Sequence, residues 1–168
     1  MCSSDLIRCT NDLKLYQSLL ENADVKRVRG RIQRMDEKRD HPGVRRHLLA
    51  TSVRLSRSMS APLHHMADQC TERLGIDSPL ELYAYANPQF NAACFKPEEG
   101  RVFIMLSSSL LEAFSDSELL FVMGHELGHH VYQHHELPIG YILRGREPLA
   151  PARALALFSW SRYSEVSA

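Results

Sequence analysis

The chain has few of the features that mark several classes of protein. Its 168 residues contain four cysteines, too few for a disulfide-stabilised scaffold and without the close pairs of a structural zinc site. Cys2, Cys9, Cys70 and Cys94 are therefore expected to be free thiols. No apolar run reaches the ~18 residues of a membrane span, and the N-terminus lacks the apolar core of a signal peptide. These absences predict a protein that is cytoplasmic or otherwise soluble.

An excess of charge is also missing. Lys plus Arg and Asp plus Glu both total 20, so net charge gives no reason to expect nucleic acid or an anionic membrane as partner. The basic residues are nevertheless clustered, with eleven between Lys26 and Arg57 against Asp36, Glu37 and Asp40. We expect a solvated helical face there and no nucleic-acid partner. Binding of this stretch to anionic lipid or nucleic acid is the alternative.

The apolar fraction of 44% is enough to build a core. Residues 1–76 have the apolar spacing of helices, which continues through Val53 and Leu55 and predicts two to four helices with breaks at 40–43 and 60–62. We expect residues 1–76 to form a helical N-terminal region and residues 77–168 the core of the protein, packed together as one compact unit.

Three short runs in the second half are typical of strands. Residues 81–86, 91–96 and 101–106 contain Tyr, Phe, Val and Ile, and turn-forming residues separate them. Because the connections are short, the pattern predicts a small three-stranded antiparallel sheet.

Helical signals follow the last of these runs. Serines at 107–109 predict the start of a short helix, and Ser115 with Glu118 forms a capping-box signature for a longer one. That helix is expected to run to about residue 136, before Pro138 and Gly140. A loop containing Gly145 then precedes a last helical segment over 151–168.

The longer predicted helix contains the sequence His-Glu-Leu-Gly-His, an HExxH pattern. At ~100° per residue, His125 and His129 lie about 40° apart and one turn along, so both imidazoles can bind one zinc ion. Glu126 lies beside them and can take a proton from a zinc-bound water. The pattern predicts a zinc metalloendopeptidase; the alternatives are a purely structural zinc site and a catalytically inactive binding or chaperone module.

A catalytic zinc site usually needs a third protein ligand. His135 has the spacing of the pattern HExxHxxGxxH, but Tyr132 stands where that pattern has its helix-ending glycine. If the helix continues, His135 lies ~15 Å along the axis from the first histidine and cannot reach the metal. The best candidate is therefore Glu165, on the last helical segment.

These residues resemble the HtpX-like group of gluzincin metallopeptidases, which includes the CAAX prenyl endopeptidases. Its members pair a helical HExxH with a downstream helix of the form SRxxExxAD, whose Glu is the third zinc ligand. Ser161, Arg162, Glu165 and Ala168 match that form. Further similarity is found in residues 83–88, 91–92, 109–111 and 117–119.

The resemblance implies a mostly helical α+β, zincin-like (minigluzincin) domain with its small sheet packed on the HExxH helix. It also implies one Zn²⁺ per chain, a polypeptide substrate, and contact between substrate backbone and the edge-strand residues Asn91 and Ala92. His134 recurs in many such sequences. The family's acidic residue four positions after the ligand Glu would be residue 169, so we expect the chain ending at Ala168 to be cropped.

Overall fold

The structure is a computed structural model, and it describes residues 7–37, 43–143 and 150–168. The chain divides into two compact units, residues 1–41 with 132–168, and residues 42–131. The boundary expected at residue 76 falls inside the second unit, and the proposed division there stays a prediction.

The described residues are mostly helical with one small sheet, in agreement with the predicted α+β class. The helices are α1 (Thr10–Glu21), α2 (Ala23–Glu37), α3 (Val44–Thr51), α4 (Ala61–Leu74), α5 (Ser108–Ala113), α6 (Asp116–Val131), α7 (Ile139–Leu143) and α8 (Pro151–Ser167). The strands are β1 (Val53–Leu55), β2 (Leu80–Tyr85), β3 (Ala92–Glu98) and β4 (Arg101–Ser107).

The helices predicted for residues 1–76 are confirmed as α1 to α4, with one error. The break at 60–62 is confirmed because α4 begins at Ala61, with a proline in its first turn. Residues 38–42, which hold most of the other predicted break, and 144–149, which hold Gly145, lie outside the described residues. Val53 and Leu55 are wrongly assigned to a helix, since they form strand β1 after α3 ends at Thr51.

The prediction of three antiparallel strands is also wrong. The sheet has four strands in the order β1-β2-β4-β3, and it is mixed, because β2 and β4 run parallel while the other two pairs are antiparallel. After β2 the chain therefore crosses to the outer edge of the sheet, where it forms β3. A hairpin then returns it to the centre as β4.

A tight turn joins β3 to β4. Glu99 and Gly100 have φ values of 50° and 70°, and they lie between the paired residues Glu98 and Arg101. Positive φ at both central residues is the type I′ geometry, whose twist matches that of the adjoining strands. An irregularity between Phe95 and Glu98 then shifts the register of the edge strand by one residue, and the part beyond it carries predicted site residues.

The unit of residues 42–131 is built in three layers. One face of the sheet packs on α4 and α6, and the other face packs on α3 through Leu48, Tyr83 and Phe103. Because both faces are covered, β2 and β4 are apolar on both sides. The motif helix α6 contributes Leu119, Met123 and Leu127 to this core, and so its opposite side is left for polar residues.

The unit of residues 1–41 and 132–168 joins the two ends of the chain. Its core consists of Tyr16, Leu19, Val25, Leu137, Ile142, Leu157 and Trp160. An ion pair between Asp24 and Arg153 adds a second tie between α2 and α8. In neither unit does any described helix combine the length and apolar character needed to cross a membrane.

Several arginines of the basic stretch at 26–57 contact carboxylates. The pairs are Arg27 with Asp24, Arg29 with Glu136, Arg45 and Arg54 with Glu81, and Arg57 with Asp68. Part of the positive charge is thus balanced within the protein, while the solvated face and its alternative, an anionic partner, both stay predictions.

Candidate metal centre

Helix α6 begins where the sequence predicts and ends earlier. The backbone N–H of Ser115 donates to Oε2 of Glu118 at 2.8 Å, which confirms that these two residues cap the helix. The predicted end near residue 136 is wrong, because α6 stops at Val131 and Gln133 adopts a left-handed conformation with φ 57° and ψ 34°. A short 3₁₀ turn, His134–Glu136, follows.

The two motif histidines lie one turn apart on α6, as expected from their spacing. Both are half-buried, and their ring centroids are 4.8 Å apart at an interplanar angle of 83°. The ring of Phe121, one turn earlier, stacks on His125 with a centroid distance of 6.4 Å. The side of α6 opposite its buried apolar residues therefore presents two imidazoles side by side.

Among the described residues, one group of side chains could hold a metal ion: His125, His129 and Glu165. Each offers one ligand atom, and these atoms all lie within 4.8 Å of one another. Two imidazole nitrogens and one carboxylate oxygen are the donor set of His₂Glu catalytic zinc sites, and they leave a coordination position open. The chemistry of this donor set suits zinc.

The argument from sequence against His135 rests on a wrong premise. Because α6 ends at Val131, distance along a continuous helix does not exclude that histidine. His135 nevertheless does not belong to the metal-binding group, and its Nε2 lies 3.7 Å from Oε1 of Glu136. Burial lowers the pKa of the imidazole of His130, the residue that follows His129 in α6.

Glu126, the predicted base, faces the edge strand. The backbone N–H of Cys94 on β3 donates to its Oε2 at 2.9 Å. Burial, together with the nearby Glu126 carboxylate, raises the pKa of the Cys94 thiol to about 12. The carboxylate is thus held by a main-chain donor, while the thiol beside it stays protonated at neutral pH.

Asn91 and Ala92 lie where β3 begins. Asn91 is held on three sides: its N–H donates to Ser107 Oγ at 3.1 Å, its carbonyl accepts from the Ser107 N–H, and its side-chain amide donates to the Tyr85 hydroxyl at 2.8 Å. Ala92 pairs with Leu106 on β4. The substrate role of both residues stays a prediction.

Sequence reasoning missed Cys94, whose N–H donates to Glu126, and Asp12, whose carboxylate accepts from His134 after α6 and from Trp160 and Ser167 on α8. Cys94 had no local signal, because its role comes from a main-chain N–H and from strand pairing. Asp12 had a local signal in the sequence, because it lies one turn before Tyr16 on the buried side of α1, together with Leu19. A carboxylate on the apolar side of a helix indicates a buried hydrogen-bond network.

Two comparisons with known proteins found related sequences. The model of Peptidase family M48 matches residues 58–145, which include the HExxH helix. The Plastoglobule-localized metallopeptidase 48, chloroplastic, of Arabidopsis thaliana is 35% identical over 81 residues. That alignment covers 48% of this chain and 23% of the relative, so the chain spans about a quarter of the relative's length.

Proposed function

The chain belongs to peptidase family M48, and from that membership we propose that it is a zinc metalloendopeptidase. His125, His129 and Glu165 would hold the metal, and Glu126 would act as general base. The observation that carries the proposal is the meeting of the ligand atoms of these three side chains within 4.8 Å. The pattern HExxH supplies two of the three ligands, and the third comes from a separate helix.

A bound zinc ion would lower the pKa of its water and polarise the scissile carbonyl. The protein's own contribution is proton transfer and orientation. Glu126 follows His125 directly in the helix, so its carboxylate can take the proton of the attacking water and pass it to the leaving amine. The hydrogen bond from the Cys94 N–H to Oε2 orients the carboxylate for this task.

The edge strand β3 gives the proposal a substrate class. Opposed residues in an antiparallel pair alternate between bonded and non-bonded positions. Asn91 accepts from Ser107 of β4, so Ala92 and Cys94, at the alternate positions, direct their backbone groups away from β4. The N–H of Cys94 bonds to Glu126, and its carbonyl and the backbone groups of Ala92 face the open edge. An extended polypeptide could add to this edge as a further strand, with its scissile bond beside Glu126.

The test is hydrolysis of a protein substrate such as casein by Glu126→Gln. We expect zinc content to stay near that of the wild type and cleavage to be abolished, since glutamine cannot accept the proton. Glu112→Gln, on the exposed side of α5, is the matched control and should leave cleavage unchanged. Retained cleavage in Glu126→Gln would refute the assignment of the base.

A catalytically inactive binding module gives the opposite result. A wild-type protein that binds zinc through the three ligands and cleaves no protein substrate would support that alternative. The assay should use the zinc-loaded protein, with a chelator-treated sample as the blank.

A further inference from the structure

The side chain of Asp12 is completely buried and accepts hydrogen bonds from four other side chains. Its donors are Arg8 Nε at 2.7 Å, His134 Nε2 at 3.1 Å, Trp160 Nε1 at 2.9 Å and Ser167 Oγ at 2.8 Å. They come from the start of the chain, from the turn after α6, and from two places on α8. One carboxylate thus ties three separate segments together.

This carboxylate is charged despite its burial. Burial alone would raise the pKa of Asp12, but hydrogen bonds from His134, Arg8 and Ser167 outweigh that effect and hold the pKa well below its usual range. Arg8, its ionic partner, is covered by the rings of Tyr16 and Tyr132 at 4.7 and 5.2 Å. The network is therefore fully satisfied and enclosed by aromatic groups.

The contacts on α8 bracket the proposed third zinc ligand. Trp160 precedes Glu165 in the helix and Ser167 follows it, and both donate to Asp12. At ~100° per residue, Glu165 projects about 150° away from the stripe that faces Asp12, on nearly the opposite side of α8. Any rotation of α8 about its axis would stretch both hydrogen bonds and turn the Glu165 carboxylate.

The buried side of α8 becomes polar toward its C-terminal end, where Glu165 lies. The buried residues of α8 are Leu157, Trp160 and Ser164, so the second half of its buried stripe is polar. Hydrogen bonds are directional and apolar contacts are not. The bonds to Asp12 therefore restrict the rotation of the half of α8 that carries Glu165.

We propose that Asp12 is a positioning residue for Glu165, fixing the rotation of α8 and with it the direction of the carboxylate that binds zinc. The inference rests on the proposed ligand role of Glu165. It gives the N-terminal helix α1 a direct part in the metal site, through a hydrogen-bonded helix rather than through contact with the ion.

The test compares zinc affinity in Asp12→Asn, Glu165→Ala and Leu19→Ala, measured on metal-free protein by competition with a chromophoric chelator. Asparagine keeps the size of Asp12 but turns an NH₂ group toward buried donors. Leu19→Ala weakens the same core without touching the network, and it controls for loss of stability. Trp160 is the chain's single tryptophan, so its fluorescence reports the bond to Asp12 without any metal.

We expect Asp12→Asn to weaken zinc binding about tenfold or more and to shift the emission of Trp160, as loss of a ligand-orienting partner does elsewhere. Leu19→Ala should leave the affinity of the folded protein within about twofold. Ser167→Ala removes one of the donors to Asp12 and should weaken zinc binding less, so the test remains usable if Asp12→Asn does not fold.

Two results would overturn the inference, and they can be told apart. If Glu165→Ala weakens zinc binding while Asp12→Asn and Ser167→Ala do not, Glu165 is a ligand that does not depend on Asp12. If Glu165→Ala itself binds zinc as the wild type does, the proposed ligand set is wrong, and the positioning role is lost with it.

Discussion

The backbone N–H of Cys94 lies 2.9 Å from Oε2 of Glu126, so strand β3 provides a main-chain donor to the proposed general base. The donor belongs to the backbone, and its presence does not depend on the side chain at that position. The thiol has no part in the proposed reaction, and its raised pKa keeps it from acting as a nucleophile at neutral pH.

Two substitutions of Cys94 should therefore distinguish the role of its backbone N–H from that of its thiol. Cys94→Ala keeps the N–H, and we expect casein cleavage within about threefold of the wild type. Cys94→Pro removes the donor at a position whose N–H points away from β4, where proline is tolerated in an edge strand. We expect it to lower kcat by tenfold or more with zinc still bound, since one lost donor to a charged group costs about 1.5–3 kcal/mol. Equal activity in both variants would contradict this role of β3.

The third ligand can be assigned by comparing Glu165→Ala with His135→Ala. We expect the first to lower zinc affinity by at least about tenfold, because it removes a ligand. The second should leave zinc affinity unchanged, since His135 lies outside the metal-binding group. Equilibrium dialysis with metal analysis by mass spectrometry measures both. The reverse ranking would favour a site built from three histidines.

The substrate role of Asn91 can be separated from its structural role through its partner Tyr85. Asn91→Ala should raise KM about fivefold if the side chain binds substrate, the equivalent of a hydrogen bond of about 1 kcal/mol. Tyr85→Phe removes the hydroxyl to which the Asn91 amide donates and leaves Asn91 in place, so KM should change less. Equal effects on KM would indicate that Asn91 only shapes the start of β3.

Stability in acid should depend on Asp12. The pKa of Asp12 is lowered in the folded protein relative to a usual value of about 3.8. Its contribution to the free energy of unfolding is therefore complete above pH 3.8 and is lost as pH falls toward the folded pKa. At neutral pH we expect Asp12→Asn to lower the free energy of unfolding by about 3 kcal/mol, as when one partner of a buried ion pair is removed.

Urea unfolding of metal-free protein between pH 7 and pH 2 checks this expectation. The difference in free energy of unfolding between wild type and Asp12→Asn should be constant above about pH 4 and become smaller below it. The difference isolates Asp12, because the other carboxylates are common to both proteins. A free-energy difference that stayed constant down to pH 2 would mean that folding does not lower the pKa of Asp12.

Local signals in the sequence were sufficient for the beginning of the motif helix and for two of its site residues. Ser115 and Glu118 cap α6 through contacts within one turn, and the spacing of His125 and His129 follows from helix geometry alone. The strands were placed within a few residues for the same reason, since their composition and turns are local.

Features that depend on distant residues could not be predicted. Strand β1 has only three residues and is defined by its pairing with β2, and the composition of β2 does not reveal that its inner partner is β4. The early end of α6 has a similar origin. Gln133 adopts a left-handed conformation, and the turn that follows brings His134 to the buried carboxylate of Asp12, far away in the sequence.

The division of the chain has a consequence for its synthesis. Residues 42–131 are continuous and can fold soon after they leave the ribosome, whereas α1 and α2 are translated before them and contact Leu157 and Trp160 only after α8 has been made. Closing so long a stretch of chain is also slow on entropic grounds. Until α8 has been made, the nascent chain must keep Tyr16 and Leu19 uncovered, and a ribosome stalled before Pro151 would hold it in that aggregation-prone state.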